Sequence, residues 1–204
     1  MYCPKEGFVL RGDPSKMGSF LRTASQRVNT ECHKLKVKTR RRKERCCMTT
    51  AEKVVKLLKE KKIHISTAES CTGGMIASGI VDVSGASDVF EEGYVTYSDR
   101  VKMKLLGVKK DTLDAYTVVS AQVAEEMAEG VSKATGSELT VSVTGYAGPS
   151  DGEDGTPAGT VFIGTFYKEK AVSRHYHFKG DRQQVRLQAR ESAFELILER
   201  LEED

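Results

Sequence analysis

Apolar residues recur at helical spacing over residues 50–62, where Val54, Val55, Leu57 and Leu58 share one face and Thr49 and Glu52 form a capping box ahead of them. The period then changes. Ile63-His64-Ile65-Ser66 alternates as a strand over 63–67, and the stretch from Gly73 through Met75, Ile76 and Ile80 returns to a helical pattern. Phe90 to Tyr97 is rich in aromatic and β-branched residues and predicts a strand. Ser98 caps a helix carrying Val101, Lys102, Leu105 and Leu106, which Gly107 ends. Ser120 caps another, with Val123, Ala124, Met127, Ala128 and Val131 in register, closed by Gly136. Residues 139–144 read as a strand and 145–158 as a Gly/Pro/Asp surface loop. Residues 159–167 and 171–178 form a hairpin around Lys168-Glu169-Lys170, and Asp181 opens a last helix with Val185, Ala189, Ala193, Leu196, Ile197 and Leu201 on one face. Helices alternating with strands, plus one hairpin, predict an α/β fold. The expected architecture is a mixed sheet covered by helices on both faces, three layers α/β/α, with no internal repeat.

Charge divides the chain more sharply than hydropathy does. Of the 204 residues, 1–47 hold 13 Lys/Arg against 4 Asp/Glu, whereas 48–204 hold 19 against 25. A basic leader therefore precedes an acidic body, and the body alone carries enough apolar residues for one core. The run from Lys34 to Arg45 could attract nucleic acid or anionic lipid by charge. It has no aromatic interleaving and no nucleic-acid fold signature, so nucleic acid is not an expected partner of the body. The leader is expected to be disordered, as an upstream extension or an appendage. It also holds Cys3, Cys32, Cys46 and Cys47, which leaves Cys71 alone in the body and excludes a disulfide framework there. A reducing cytoplasm is the expected compartment. No apolar run approaches the roughly 20 residues of a membrane span, so no membrane partner is expected.

The densest chemistry lies in Thr67-Ala68-Glu69-Ser70-Cys71-Thr72-Gly73-Gly74. A carboxylate, hydroxyls, a thiol and two glycines share one turn between a strand and a helix N-terminus. Unpaired backbone N–H groups and the helix dipole at such a turn favour an anion or a developing oxyanion. Two other segments end strands as this one does, Tyr97 to Lys102 and Thr144 to Ser150, and open α/β sheets bind ligands at the carboxyl ends of their strands. Three polar ends meeting at one sheet edge make a pocket with hydroxyls, an ammonium group and exposed amides. The acidic loop 150–155 fits no EF-hand spacing and is read as solvated, so no metal is expected.

The strings TAESCTGG, GASDVFEEGYVTYSDRVK, LLGV, VVS at 118–120, VTGYAGP and GTPAGTVFIG resemble, in order and spacing, the C-terminal domain of the CinA family, from about Met48 to the C-terminus. That family includes stand-alone deamidases of nicotinamide mononucleotide. The resemblance implies hydrolysis of that nucleotide's carboxamide to nicotinate mononucleotide and ammonia, without metal or cofactor, and a homodimer. It implies Ser70 as nucleophile and Lys102 as its general base, partly neutral through burial. Tyr97 is expected to relay a proton or orient the lysine, and the amides of Thr72, Gly73 and Gly74 to serve as oxyanion or phosphate donors. Ser87 and Thr144 are placed in the pocket by motif, and Arg182 aligns with an arginine suited to a phosphate. His64, His175 and His177 lie outside these blocks, which argues against a Ser-His-Asp arrangement. Cys71 is the rival nucleophile. Tyr146 stands where the family usually has isoleucine and Thr156 where it often has lysine, both at the expected pocket rim. A non-catalytic nucleotide-binding or interaction protein, tied to competence and DNA damage as the family name suggests, is the second reading.

Overall fold

The computed structural model describes residues 48–203, so the basic leader and its cysteines lie outside the described residues. Helix α1 (Thr50–Lys61) begins where the capping box places it: Thr49 Oγ1 accepts the Glu52 N–H and Glu52 returns a bond to the Thr49 N–H. Strand β1 (Ile65–Glu69) follows, then α2 (Met75–Val81), β2 (Phe90–Val95), α3 (Asp99–Leu106), α4 (Lys110–Tyr116), α5 (Ala121–Thr135), β3 (Leu139–Gly145), β4 (Thr160–Tyr167), β5 (Lys170–His177) and α6 (Arg182–Glu202). Two differences from the sequence reading stand out. Strand β1 runs two residues further than expected, through Glu69, because the polar Thr67 and Glu69 are buried within it rather than starting the turn. Helix α4 is unforeseen because it buries no residue and so leaves no apolar stripe to read.

The sheet order is β2-β1-β3-β4-β5. The first three strands are parallel, their crossovers made by α2 and by α3 to α5, and β3, β4 and β5 run antiparallel. Ile65, Leu139, Val141, Val143, Val161 and Ile163 form one apolar core with the buried faces of α1, α2 and α6. The other face of β3 carries hydroxyls. Thr140 Oγ1 donates to the Ala128 carbonyl at 2.6 Å and Ser142 Oγ to that of Ala124 at 2.5 Å, so α5 lies close against the sheet. A Cβ on Gly164 of β4 would sit 2.5 Å from the Ala124 carbonyl oxygen, which is why that strand position has no side chain. Satisfied hydroxyls let the helix approach without orphaning its buried polar groups. Leu106, Val108, Val123, Met127 and Val131 complete the apolar packing on this side with Ala68. Among the described residues no helix is long and apolar enough to cross a membrane.

Candidate active site

Parallel pairing brings the carboxyl ends of β1, β2 and β3 to one rim. Ser70 is the first residue past β1, and its N–H still bonds the Val143 carbonyl of β3 at 3.0 Å. On the other side the Thr96 N–H bonds the Glu69 carbonyl at 2.8 Å, carrying the β1–β2 ladder one step beyond the strands. Ser70 and Thr96 are thereby fixed as neighbours. Lys102, in the first turns of α3, reaches back to both: its Nζ lies 3.2 Å from Ser70 Oγ and 2.9 Å from the Thr96 carbonyl oxygen. Its side chain is 1% exposed with no carboxylate bonded to it. Burial lowers the pKa of its ammonium from the usual lysine value, opposed by the Asp99 carboxylate and by Cys71.

Cys71 is 5% exposed, and burial pushes its thiol up to about 11, the opposite of a thiol activated at a helix N-terminus. At neutral pH the sulfur carries its proton. The buried groups here divide into a hydroxyl facing an amine whose pKa burial lowers and a thiol kept neutral, which favours Ser70 over Cys71.

The turn between Ser70 and α2 is held from both sides. Glu69 is buried, and its carboxylate accepts the N–H groups of Gly74 at 2.9 Å, Ile76 at 3.1 Å and Ala77 at 2.8 Å. It fills the helix N-terminus from within. The amides of Gly73 and Gly74, expected to face a ligand, are thus already engaged: Gly74 with Glu69, and Gly73 with the Ser70 carbonyl at 3.1 Å. Neither glycine lines the cavity, and nor does Thr72. Among the described residues no backbone carbonyl accepts the N–H of Thr72. On the outer side Arg186 of α6 donates from Nε to the Cys71 carbonyl at 3.0 Å and from Nη2 to the Thr72 carbonyl at 2.7 Å. Sequence reasoning missed Arg186 because it lies more than a hundred residues from the turn. It also passed over Glu69, although a carboxylate just ahead of unpaired helix amides is a local signal.

A cavity of about 340 Å³ opens over this rim. Ser70, Cys71 and Lys102 line it, with Thr144 to Ser150 forming one wall and Tyr97, Asp99 and Arg182 its mouth. Thr144 is buried and spends its hydroxyl on the Val118 carbonyl at 2.8 Å, which ties the Val118-Val119 segment to the cavity. Arg182 donates to the Gly148 carbonyl at 2.8 Å and to the Tyr97 hydroxyl at 3.2 Å. Tyr97 is 64% exposed, and its phenol reaches Arg182; no hydrogen bond joins it to Lys102 or Ser70, so the structure places it as a partner of the arginine and not as the group that orients the lysine. Ser87 is not brought to the cavity. It sits on the 3-10 turn Ala86–Asp88 ahead of β2, at the opposite end of the sheet, about 20 Å away at the usual rise per strand residue. No histidine lines the cavity. In the acidic loop Asp151 accepts the Ala158 N–H and Asp154 the Thr156 N–H, while Tyr146 stands beside Asp154 at the rim. Among the described residues no three His, Cys, Asp or Glu side chains gather as a metal site.

A family model described as the CinA C-terminal domain matches residues 48–201. A CinA-like protein of Thermotoga neapolitana is 47% identical over 152 residues, covering 74% of this chain and 37% of that protein. The chain spans little more than a third of the length of such relatives. Among solved structures, a competence-damaged protein (CinA) superfamily protein from Escherichia coli superimposes with a TM-score of 0.72 at 36% identity, covering 73% of this chain and 87% of its own. One of the same superfamily from Klebsiella pneumoniae gives 0.73 at 34% identity, covering 76% and 98%.

Proposed function

This chain belongs to the family of CinA C-terminal domains, and we propose that it is an amidohydrolase that converts nicotinamide mononucleotide to nicotinate mononucleotide and ammonia. The observation that carries the proposal is a fully buried lysine amine 3.2 Å from a serine hydroxyl on the floor of a cavity. A neutral Lys102 has two N–H groups and one lone pair. With one N–H held by the Thr96 carbonyl, the lone pair is free to face Ser70 Oγ.

In the proposed reaction Ser70 Oγ attacks the carboxamide carbon as its proton passes to Lys102 Nζ. The tetrahedral oxyanion is received by the Cys71 N–H, an amide of the turn that no backbone carbonyl holds and whose residue lines the cavity. The C–N bond breaks as the Lys102 ammonium returns its proton to the leaving nitrogen, releasing ammonia and an ester on Ser70. Water then attacks the ester, giving a proton to Lys102, and the serine leaves with that proton as the acid product departs. The nucleotide phosphate lies at the mouth on Arg182, whose guanidinium offers a planar fork for two of its oxygens. Tyr97, bonded to that arginine, belongs to binding on this reading. We place the reaction in the cytoplasm, where Cys71 stays a thiol, and in a homo-oligomer as the family likeness suggests.

The test is ammonia release from nicotinamide mononucleotide by the full chain. Turnover that vanishes in Ser70→Ala and Lys102→Ala variants of unchanged melting temperature supports the reading. Binding of the nucleotide with no turnover by the wild type would replace it with the non-catalytic alternative.

A further inference from the structure

The nucleophile turn buries Ser70, Cys71 and Thr72, and charged groups on both sides of it point inward to hold it. The Glu69 carboxylate takes the amides on the α2 side, and Arg186 takes the two carbonyls on the α6 side. A peptide unit is planar, so fixing a carbonyl fixes the direction of the next residue's N–H. Holding the Cys71 carbonyl toward Arg186 turns the Thr72 N–H the other way, and holding the Thr72 carbonyl turns the Gly73 N–H onto the Ser70 carbonyl, where it is found. One guanidinium therefore sets two successive peptide planes directly after the serine. Gly73 leaves room for it: its φ is +60°, and a Cβ there would lie 3.4 Å from Arg186 Nη2. Arg186 also stands four residues after Arg182 on α6, so the helix that carries the mouth arginine carries the turn's anchor as well.

Resting on the deamidase reading above, we propose that Arg186 is a positioning residue: it does not touch substrate but orients the Cys71–Gly73 peptides so that Ser70 meets the carbonyl in reactive register. The role predicts a loss in the chemical step with binding intact, since Arg182 and the cavity wall are untouched. A displacement of about 1 Å in such a site costs on the order of 10²-fold in rate.

The experiment uses the full chain with Arg186→Met, Arg186→Lys and Arg186→Ala. The Met variant should lose about 10²-fold in kcat with KM within about twofold of wild type, the scale expected for misplacement alone. Lysine, a single point donor, should restore only part of the rate. Guanidinium at non-denaturing concentration should raise turnover of Arg186→Ala and leave Ser70→Ala dead. Labelling of Ser70 by diisopropyl fluorophosphate, which needs no nucleotide, should slow in step with kcat. Wild-type kcat in the Met variant, a KM effect without a kcat effect, or a rate loss that guanidinium cannot mend would overturn the proposal. If wild type labels at Ser70 but releases no ammonia from nicotinamide mononucleotide, the substrate reading is what has failed. The labelling rates then decide on Arg186 by themselves, unchanged labelling in Arg186→Met sinking it. Should the Met variant melt below the assay temperature, the Lys variant and the guanidinium arm decide between the two outcomes.

Discussion

Asp99 stands three residues before Lys102 on α3, exposed at the cavity mouth, and its carboxylate opposes the effect that burial has on the lysine. Burial lowers the ammonium's pKa and Asp99 raises it, so the balance sets how much free amine is present at a given pH. Catalysis through a neutral Lys102 predicts activity that rises with pH as the amine loses its proton. Removing the opposing charge in Asp99→Asn should lower the lysine pKa further. The acid limb of kcat against pH then moves to lower pH, with the greatest gain relative to wild type on that limb. A limb that stays in place, or moves upward, counts against Lys102 as the base.

Cys71 gives a second, sharper discrimination. With its thiol held at about 11, only a very small fraction is thiolate at neutral pH. Cys71→Ala should keep kcat within a few-fold of wild type, at a stability cost of about 1 kcal/mol for the buried atom lost. Iodoacetamide should modify the native protein slowly. A fall of roughly 10³-fold or more in Cys71→Ala, with the fold retained on circular dichroism, would transfer the nucleophile's role to the thiol.

The layers were legible because apolar periodicity reports burial. Val54, Val55 and Leu58 on α1, and Val185, Ala189, Ala193 and Ile197 on α6, mark helix faces that are in fact in the core. Periodicity is silent where a helix buries nothing, as in α4, and misleads where buried positions are polar, as at Thr67 and Glu69. At the site, Ser70, Lys102, Thr144 and Arg182 lie at strand ends and helix starts, and the fold brings them to one cavity. Ser87 shows the limit of a motif match, because likeness in sequence carries no information on which end of the sheet a residue reaches. The grip of Glu69 and Arg186 on the turn depends on where buried donors and acceptors happen to meet, and for Arg186 that is decided by the packing of α6, far along the chain.

Arg182 separates binding from chemistry. Its guanidinium spans the Gly148 carbonyl and the Tyr97 hydroxyl at the mouth and is not hydrogen-bonded to Ser70 or Lys102. In Arg182→Ala, KM for nicotinamide mononucleotide should rise roughly 10- to 100-fold, the loss of a charge-assisted contact worth about 1.5–3 kcal/mol. Nicotinamide riboside, which has no phosphate, should react at nearly the same low kcat/KM with either protein. Equal losses on both substrates would assign Arg182 to holding the loop at Gly148 and not to the phosphate.

The placement of Lys102 also depends on a residue far from the cavity. Gly130 on α5 lies so close to α3 that a Cβ would come 2.0 Å from the Leu106 carbonyl oxygen, a backbone atom that can yield only if the helix moves. Leu106 lies four residues after Lys102 on the same short helix, so a shift of one end carries the lysine with it. Gly130→Ala should therefore destabilise the domain by about 1–3 kcal/mol, as overpacking does. It should also lower kcat out of proportion to KM, because the amine leaves hydrogen-bond distance of Ser70. Gly136→Ala is the control: it too alters a glycine of the α5 region, but no atom lies within 4 Å of the added carbon, and its positive φ confines the cost to backbone strain. Thermal melting and steady-state kinetics on the pair decide the matter. Loss of stability in both with loss of kcat only in Gly130→Ala places the effect in the α3–α5 contact, and parallel kinetics in the two variants would remove it.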